Sequence, residues 1–178
     1  MDPNLELFYR EGSKVSSVMA GKGAKPVGET PSVVLCNPKY PHNVGGALRA
    51  CANFEVGQLW YTGNRVPMTT EDKNWRLPRE ERMREYQDVK LFQHDYPFDH
   101  FPHGVPVAIE LLDSSMPLVE FEHPKNAVYV FGPEDGSIPK SLRSFCHYFV
   151  YIPTTACLNL SAAVNVILYD RLLKSQLM

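Results

Sequence analysis

The chain has 178 residues, 44% of them hydrophobic and 21% charged, which suits a single globular domain with a full core. Its formal net charge of -2 gives no overall attraction to a polyanion, so a nucleic acid would have to be bound by local basic patches. The apolar runs are too short to cross a bilayer, and the polar start of the sequence is not a secretory signal. We therefore expect a cytoplasmic protein without a membrane partner.

Residues 1–30 differ in composition from the rest of the chain. They show weak periodicity, and we predict a flexible or loosely docked amino-terminal extension, followed by one domain at residues 31–178. The extension carries four basic residues, which leaves two interpretations open: contact with a phosphate backbone, or a solvated tail. These basic residues are Arg10, Lys14, Lys22 and Lys25.

From residue 32 onward, short apolar runs alternate with helical stripes. This order is typical of an α/β fold, a mostly parallel sheet with helices on both faces. In the first half we predict strands at 33–36 and 58–62, separated by a helix that Asn43 caps, and then a charged helix at 78–86. Strands at 89–92, 105–111 and 127–131 follow, then a helix from Pro139 to about 146 and a strand at 148–152. The last predicted element is a helix at 160–173, whose buried positions include Ala163, Val166, Ile167 and Leu173.

Several common kinds of site have no signature in this sequence. It contains no GxxxxGK[ST], GxGxxG, HExxH or GxSxG motif, which disfavours the usual nucleotide-binding, metalloprotease and serine hydrolase sites. The four cysteines form no CxxC pair, so we expect reduced core thiols and no zinc or other metal. They are Cys36, Cys51, Cys146 and Cys157.

Three segments carry the positive signal. Asn43, Gly45 and Arg49 form N-x-G-x-x-x-R after the first strand, and GPEDG at 132–136 ends an apolar strand. Ile152 and Pro153 precede CLNLS at 157–161. Together and in this order, over residues 32–174, they resemble the SpoU/TrmH family of the SPOUT superfamily, the RNA ribose 2′-O-methyltransferases.

The resemblance implies more than composition can supply. It implies S-adenosyl-L-methionine as cofactor, a deep trefoil knot near the carboxyl end formed by the loops 132–138 and 153–159, and a homodimer formed through the first and last helices. It implies methyl transfer to a ribose 2′-hydroxyl of tRNA or rRNA, and leaves the RNA and the nucleotide open. The residues implied in cofactor binding are Leu111, Phe131, Gly132, Gly136, Ile152, Cys157, Leu158 and Asn159.

The resemblance also assigns roles at the reacting centre. Arg49 becomes the key catalytic residue, and because arginine stays protonated, a grip on the adjacent phosphate suits it better than the role of base. Asn43 and Glu134 would orient the ribose or Arg49. RNA contacts are predicted for Arg49 and for the basic segment that contains Lys73, Arg76 and Arg79, although its interspersed glutamates fit a salt-bridged solvent face as well.

Departures and alternatives remain beside this interpretation. Cys157 stands where the family usually has Ser, one residue fewer separates Glu134 from Gly136 than in some members, and residues 53–57 differ from the usual N-F-G. Taken singly, Arg49 fits a surface ion pair, Glu134 a loop acid, Asn159 a helix cap, and His42 either a base or a surface histidine. The alternative functions are a knotted RNA-binding protein without catalysis, and a flavodoxin-like nucleotide module, which the lack of a phosphate-binding glycine loop disfavours.

Overall fold

The computed structural model describes residues 16–17, 31–66 and 89–177. One eight-stranded sheet runs through them in the order β1-β4-β3-β2-β7-β5-β8-β6. All neighbouring pairs are parallel except β1 with β4, which is antiparallel. The strands are β1 (Ser16–Ser17), β2 (Ser32–Leu35), β3 (Gln58–Tyr61), β4 (Lys90–Gln93), β5 (Val105–Ile109), β6 (Met116–Pro117), β7 (Ala127–Phe131) and β8 (Tyr148–Tyr151).

The central strands are apolar along their whole length because both of their faces are covered. β2, β3 and β7 are buried at every position. One face packs against α1 (Pro41–Asn53) and α3 (Leu160–Leu177), with Ile167 and Leu168 in its core. The other face packs against α2 (Lys140–Arg143) and an aromatic group around Trp60. The predicted α/β fold, mostly parallel with helices on both faces, is thus confirmed.

The helix after β2 starts earlier than predicted. Pro41 occupies the first turn, where its fixed φ suits a helix, and Tyr40 is the N-cap residue. Asn43 therefore lies inside α1, and the prediction that it caps this helix is wrong. Its side chain is free to bond elsewhere, which decides the geometry of the site described below.

The last two helices also differ from expectation in detail. Pro139 precedes α2 as its N-cap residue, and only four residues are α-helical before the chain continues in single turns to Cys146. α3 extends to Leu177, and Ile167 is buried as predicted, but Val166 and Leu173 are exposed. These two side chains point away from the sheet, on a helix face that the described part of the chain leaves uncovered.

Two short strands escaped prediction because two residues carry no periodic signal. β6 lies beside β8 at one edge, and β1, within the predicted amino-terminal extension, pairs with β4 at the other. Besides β1, the described residues begin at 31, so the rest of the extension, the predicted helix at 78–86 and the residues Lys73, Arg76 and Arg79 lie outside them. Among the helices described, none has the length and hydrophobicity to span a membrane.

Candidate active site

The parallel sheet brings the three motif segments to one edge. β2, β7 and β8 all point the same way, so the segments that follow them leave the sheet at its carboxyl edge. α1 begins after β2, the loop 132–138 follows β7, and the loop 152–159 follows β8. Open parallel sheets bind their ligands at this edge.

A chain of hydrogen bonds joins one side chain from each of these segments. The Asn43 amide Nδ2 donates to Glu134 Oε1 at 2.5 Å, and Asn43 Oδ1 accepts from Asn159 Nδ2 at 2.9 Å. Asn43 is 1% exposed, so both of its bonds form in a water-poor setting where an unpaired amide would be costly. The predicted site residues Asn43, Glu134 and Asn159 are thus brought together.

Glu134 is held as a carboxylate. Partial burial pushes its pKa upward, but hydrogen bonds from the Asn43 side chain and from nearby backbone amides outweigh burial, and the net pKa is lowered. One of these donors is the backbone amide of Lys39, which reaches Glu134 Oε2 at 2.8 Å. An ionised, hydrogen-bonded Glu134 orients Asn43 and the start of α1, and the interpretation of a merely solvated loop acid is wrong.

Asn159 combines two functions at the start of α3. Its Oδ1 accepts from the backbone amides of Ser161 and Ala162, at 3.0 and 3.3 Å, which is helix N-capping. Its Nδ2 donates to Asn43 at the same time. The cap was one alternative from sequence, and the structure shows it together with the link to the first motif.

The loop after β7 is closely packed on itself. A Cβ added at Gly132 would lie 3.2 Å from the backbone nitrogen of Ile138, which leaves little room for a side chain. That nitrogen donates to Glu110 Oε2 at 2.8 Å. Glu110, at the end of β5, therefore fixes the far end of this loop. It was not predicted, because the strand predicted at 105–111 included Glu110, whereas β5 ends at Ile109.

A second acid in the same loop forms an ion pair across the edge. Asp135 accepts two hydrogen bonds from Arg65, at 2.9 and 2.7 Å, and lies 3.5 Å from the Lys39 ammonium. The Arg65 guanidinium lowers the pKa of Asp135 to about 2. The sequence analysis did not identify Asp135, Arg65 or Lys39. Asp135 adjoins the motif residue Glu134, but an ion pair between residues 70 positions apart leaves no local pattern in the sequence.

Arg49 lies apart from the Asn43 cluster. It follows Asn43 by six residues on α1, which places it about 9 Å further along the helix axis and on another side of it. Its side chain is exposed, whereas Asn43 is buried. His42 is also exposed, and its ring stacks on that of Tyr40. Arg49 and His42 thus both lie on the solvent-exposed surface of α1.

The residues predicted to bind a cofactor lie at the carboxyl ends of β5, β7 and β8 or in the segments that follow these strands. Leu111 and Leu158 are 76% and 39% exposed, and the loop 153–159 is exposed throughout. Phe131 is buried in the core, so only its backbone can take part. Cys157 is exposed, so its predicted place in the core is wrong, and Cys146 is half-buried. This edge of the sheet therefore presents exposed leucines next to loop backbone.

The described residues contain no group of three His, Cys, Asp or Glu side chains arranged to hold a metal ion. The side chains at this edge are amides, the carboxylates of Glu110, Glu134 and Asp135, and the cations Lys39 and Arg65.

Comparison with known proteins identifies relatives over most of the chain. The model of the SpoU rRNA Methylase family matches residues 31–169. The tRNA (cytidine-2′-O-)-methyltransferase TrmJ of Methanocaldococcus jannaschii is 30% identical over 156 residues, covering 78% of this chain and 66% of TrmJ. This chain therefore spans just under two thirds of the length of that relative.

Solved structures share the fold at low sequence identity. The SpoU methyltransferase AviRb from Streptomyces viridochromogenes, in complex with the cofactor AdoMet, has a TM-score of 0.69 at 16% identity, covering 84% of this chain and 62% of AviRb. The TrmH/SpoU tRNA modifying enzyme of A. aeolicus has a TM-score of 0.68 at 22% identity, covering 86% of this chain and 78% of that one. The family match includes all three motif segments that the Asn43 hydrogen bonds join, and the chain belongs to the SpoU rRNA methylase family.

Proposed function

We propose that this protein is an S-adenosyl-L-methionine-dependent RNA methyltransferase that methylates a ribose 2′-hydroxyl. The observation that carries the proposal is the hydrogen-bonded set of Asn43, Glu134 and Asn159, which unites the three family motifs at the ligand-binding edge of the sheet. The TrmJ relative, a tRNA 2′-O-methyltransferase by name, supports the same reaction.

The cofactor would lie against the loops after β7 and β8. The exposed Leu111 and Leu158 supply apolar contact, and the loop 153–159 supplies backbone groups. When bound, S-adenosyl-L-methionine supplies a methyl group on a positively charged sulfur. The residues proposed to hold it are Leu111, Phe131, Gly132, Gly136, Ile152, Cys157, Leu158 and Asn159, with Phe131 acting through its backbone.

The protein's part in the reaction is alignment of a weak nucleophile. A ribose hydroxyl must be held in line and must lose its proton as it reacts. Arg49, permanently charged and exposed on α1, is suited to grip a phosphate next to the target ribose and to stabilise developing negative charge. Asn43 and Glu134 keep α1, and with it Arg49, in a fixed relation to the cofactor loops.

Transfer of a labelled methyl group tests this function. The protein is incubated with labelled S-adenosyl-L-methionine and total RNA, and label in the RNA is expected. Arg49→Ala should lose transfer by at least about 100-fold, while Arg49→Lys, which keeps the charge without the two-pronged grip, should lose less. Arg143→Ala is the control, because α2 lies on the opposite face of the sheet from α1. Equal transfer by Arg49→Ala and the wild type would refute the role of Arg49.

Calorimetry separates the proposal from its alternative. A methyltransferase should bind S-adenosyl-L-methionine with micromolar affinity in the absence of RNA. If the protein binds RNA but shows no cofactor binding, it is an RNA-binding protein of this fold without catalysis. Mapping ribose 2′-O-methyl sites in cells with and without the gene then identifies the RNA, for which tRNA and rRNA are both candidates, in the cytoplasm.

The proposal includes a homodimer. α3 leaves an apolar stripe exposed at helical spacing, formed by Val166, Tyr169, Leu173 and Leu177. Such a stripe is characteristic of a contact between subunits, and symmetric dimers are the commonest oligomers. Light scattering should give twice the chain mass, and Leu173→Asp should give a monomer, whereas Ser175→Asp, at an exposed position on the opposite side of the same helix, should not. A monomeric wild type at micromolar concentration would contradict the dimer.

The proposal also includes the trefoil knot that the family resemblance implies. The packed loop at 132–138, fixed by Gly132 and Glu110, and the loop 153–159 are the segments that would form it. A crystal structure that traces the chain through both loops tests the knot directly.

A further inference from the structure

Two aromatic side chains lie exposed on the rim of the site. The rings of Tyr40 and His42 are stacked, with centroids 5.3 Å apart and planes inclined by 14°. The Lys39 ammonium lies 5.4 Å from the centroid of the Tyr40 ring. Tyr40 is 43% exposed, and His42 is exposed as well. Parallel exposed rings with a neighbouring cation form the kind of surface on which unpaired nucleic-acid bases stack.

This aromatic pair is fixed to the hydrogen-bonded cluster. The backbone amide of Lys39 donates to Glu134 Oε2 at 2.8 Å, and the Tyr40 carbonyl accepts from the Asn43 backbone amide at 3.1 Å. Pro41 lies between the two rings in sequence and restricts the backbone there. The rings therefore keep a set position relative to Asn43 and Glu134.

The position of Tyr40 is not explained by helix stability. Tyr40 is the N-cap residue of α1, where Ser, Thr, Asp or Asn would stabilise the helix through a side-chain bond to the first turn. Tyr40 makes no such bond. Departures from local preference are expected where a residue serves function. A large ring at this place fits contact with a ligand.

We propose that the Tyr40–His42 pair stacks an unpaired base of the RNA substrate at the entrance to the site, with Lys39 facing the neighbouring phosphate. This inference rests on the proposed function, because it names how the same site receives its RNA. Every base has a flat face, so the pair favours single-stranded or flipped-out nucleotides and tolerates different bases. Base identity must then be read by other residues.

The test uses the full chain and a single-stranded RNA dodecamer that carries one 2-aminopurine, whose fluorescence falls when it stacks. Wild-type protein should quench it, and Tyr40→Phe, which keeps the ring, should quench it equally. Tyr40→Ala should weaken binding about tenfold, within the range measured for stacked bases. His42→Ala should weaken it less. The same dodecamer in a duplex should show little quenching.

Tyr148→Ala is the matched control. Tyr148 is 46% exposed, close to the exposure of Tyr40, but it begins β8 and so lies at the amino edge of the sheet. It should keep wild-type quenching. Cofactor affinity, measured by calorimetry, should be unchanged in every variant, which shows that the loops after β7 and β8 remain folded.

Steady-state methylation adds an independent measure. Tyr40→Ala should raise the KM for RNA about tenfold with a smaller change in kcat. If the wild type methylates RNA while Tyr40→Ala and His42→Ala keep wild-type KM and quenching, the inference is overturned and the proposed function stands. If the wild type transfers no methyl group to any RNA, the proposed function fails, and the quenching assay still decides whether the pair stacks a base.

Discussion

Asn43 lies between Glu134 and Asn159 and uses both ends of its amide, donating to the first and accepting from the second. The side-chain amide has a donor at one end and an acceptor at the other: its nitrogen faces a carboxylate, and its oxygen faces another amide. The three residues come from segments up to 116 positions apart in the sequence. This one side chain therefore holds together the segments that follow β2, β7 and β8.

Replacing Asn43 tests that polarity. Asn43→Ala should lower the free energy of unfolding by about 2 kcal/mol, because it removes a buried amide and both of its part-buried hydrogen bonds. Asn43→Asp should lower it further at pH 7, since a new carboxylate would face Glu134. Urea unfolding at pH 7 and pH 5 checks this. The extra loss in Asn43→Asp should shrink at pH 5, where one acid of the pair can take a proton. An equal loss at both pH values would contradict the arrangement.

The two functions of Asn159 can be separated by substitution. Asn159→Asp keeps an oxygen that caps α3 but loses the donor to Asn43, whereas Asn159→Ala loses both. We expect Asn159→Ala to cost about 1 kcal/mol more in unfolding free energy than Asn159→Asp. Both variants should lose methyl transfer to a similar extent. Full activity in Asn159→Asp would show that capping alone matters.

Much of the fold could be predicted because its signals are local. Apolar runs such as 127–131 and the periodicity of residues 160–173 predicted the order of strands and helices, and three motifs pointed to segments that the fold brings to one edge of the sheet. The predictions that were wrong concern side chains whose partners lie far away in the sequence. Asn43 looks like a helix cap in sequence, and only the carboxylate of Glu134, 91 residues away, shows its actual use.

The ion pair of Asp135 with Arg65 was unpredictable for the same reason. Neither residue carries a periodic or motif signal, and the sheet order that places β3 next to β2 brings them together. Val166 and Leu173 were predicted to be buried from hydrophobicity alone. Their exposure shows that periodicity marks a face as apolar without saying whether the same chain covers it.

Glu55 lies in a strained backbone conformation. Its φ is +56°, in the left-handed region, where a side chain costs about 1–2 kcal/mol and glycine costs little. It falls in the segment 53–57, where the sequence departs from the N-F-G of the family. Glu55→Gly should raise the free energy of unfolding by about 1 kcal/mol, whereas Glu55→Ala, which keeps a Cβ, should not. Thermal or urea unfolding of the two variants measures the difference, and equal stability would contradict the strain.

Asp135 forms ion pairs with the cationic side chains beside the candidate site. It pairs with Arg65 and Lys39, so Asp135→Asn should release a cation for RNA phosphates. We expect the affinity for RNA to rise a few-fold. The salt dependence should also become steeper: the slope of the log binding constant against the log salt concentration should change by about 0.7 for each additional phosphate that the protein neutralises. Fluorescence titration of RNA between about 50 and 200 mM salt measures both. Glu122→Gln, which removes the same charge from an exposed site before β7, should leave the slope nearly unchanged.

A buried polar network fastens the end of α3 to the sheet. The ring nitrogens of His123 lie 2.7 Å from the Tyr129 hydroxyl and 2.8 Å from Asp170 Oδ2, and Lys174 also pairs with Asp170. Burial lowers the pKa of His123, and its bond to Asp170 offsets this only in part. Burial, together with His94, lowers the pKa of His100 as well.

Lowered histidine pKa values make the protein less stable in mild acid. As the pH falls below about 6.5, the unfolded chain takes up these protons before the folded chain does. The stabilisation that comes from keeping these histidines neutral is therefore fully present above that pH. Below it the free energy of unfolding declines, by at most about 1.4 kcal/mol per pH unit for each histidine. Urea unfolding between pH 7.5 and 5 should show the decline. His123→Gln should flatten it and the double variant with His100→Gln should flatten it further, while His103→Gln, at an exposed site, should not. A decline of unchanged slope in the double variant would assign the acid sensitivity to other groups.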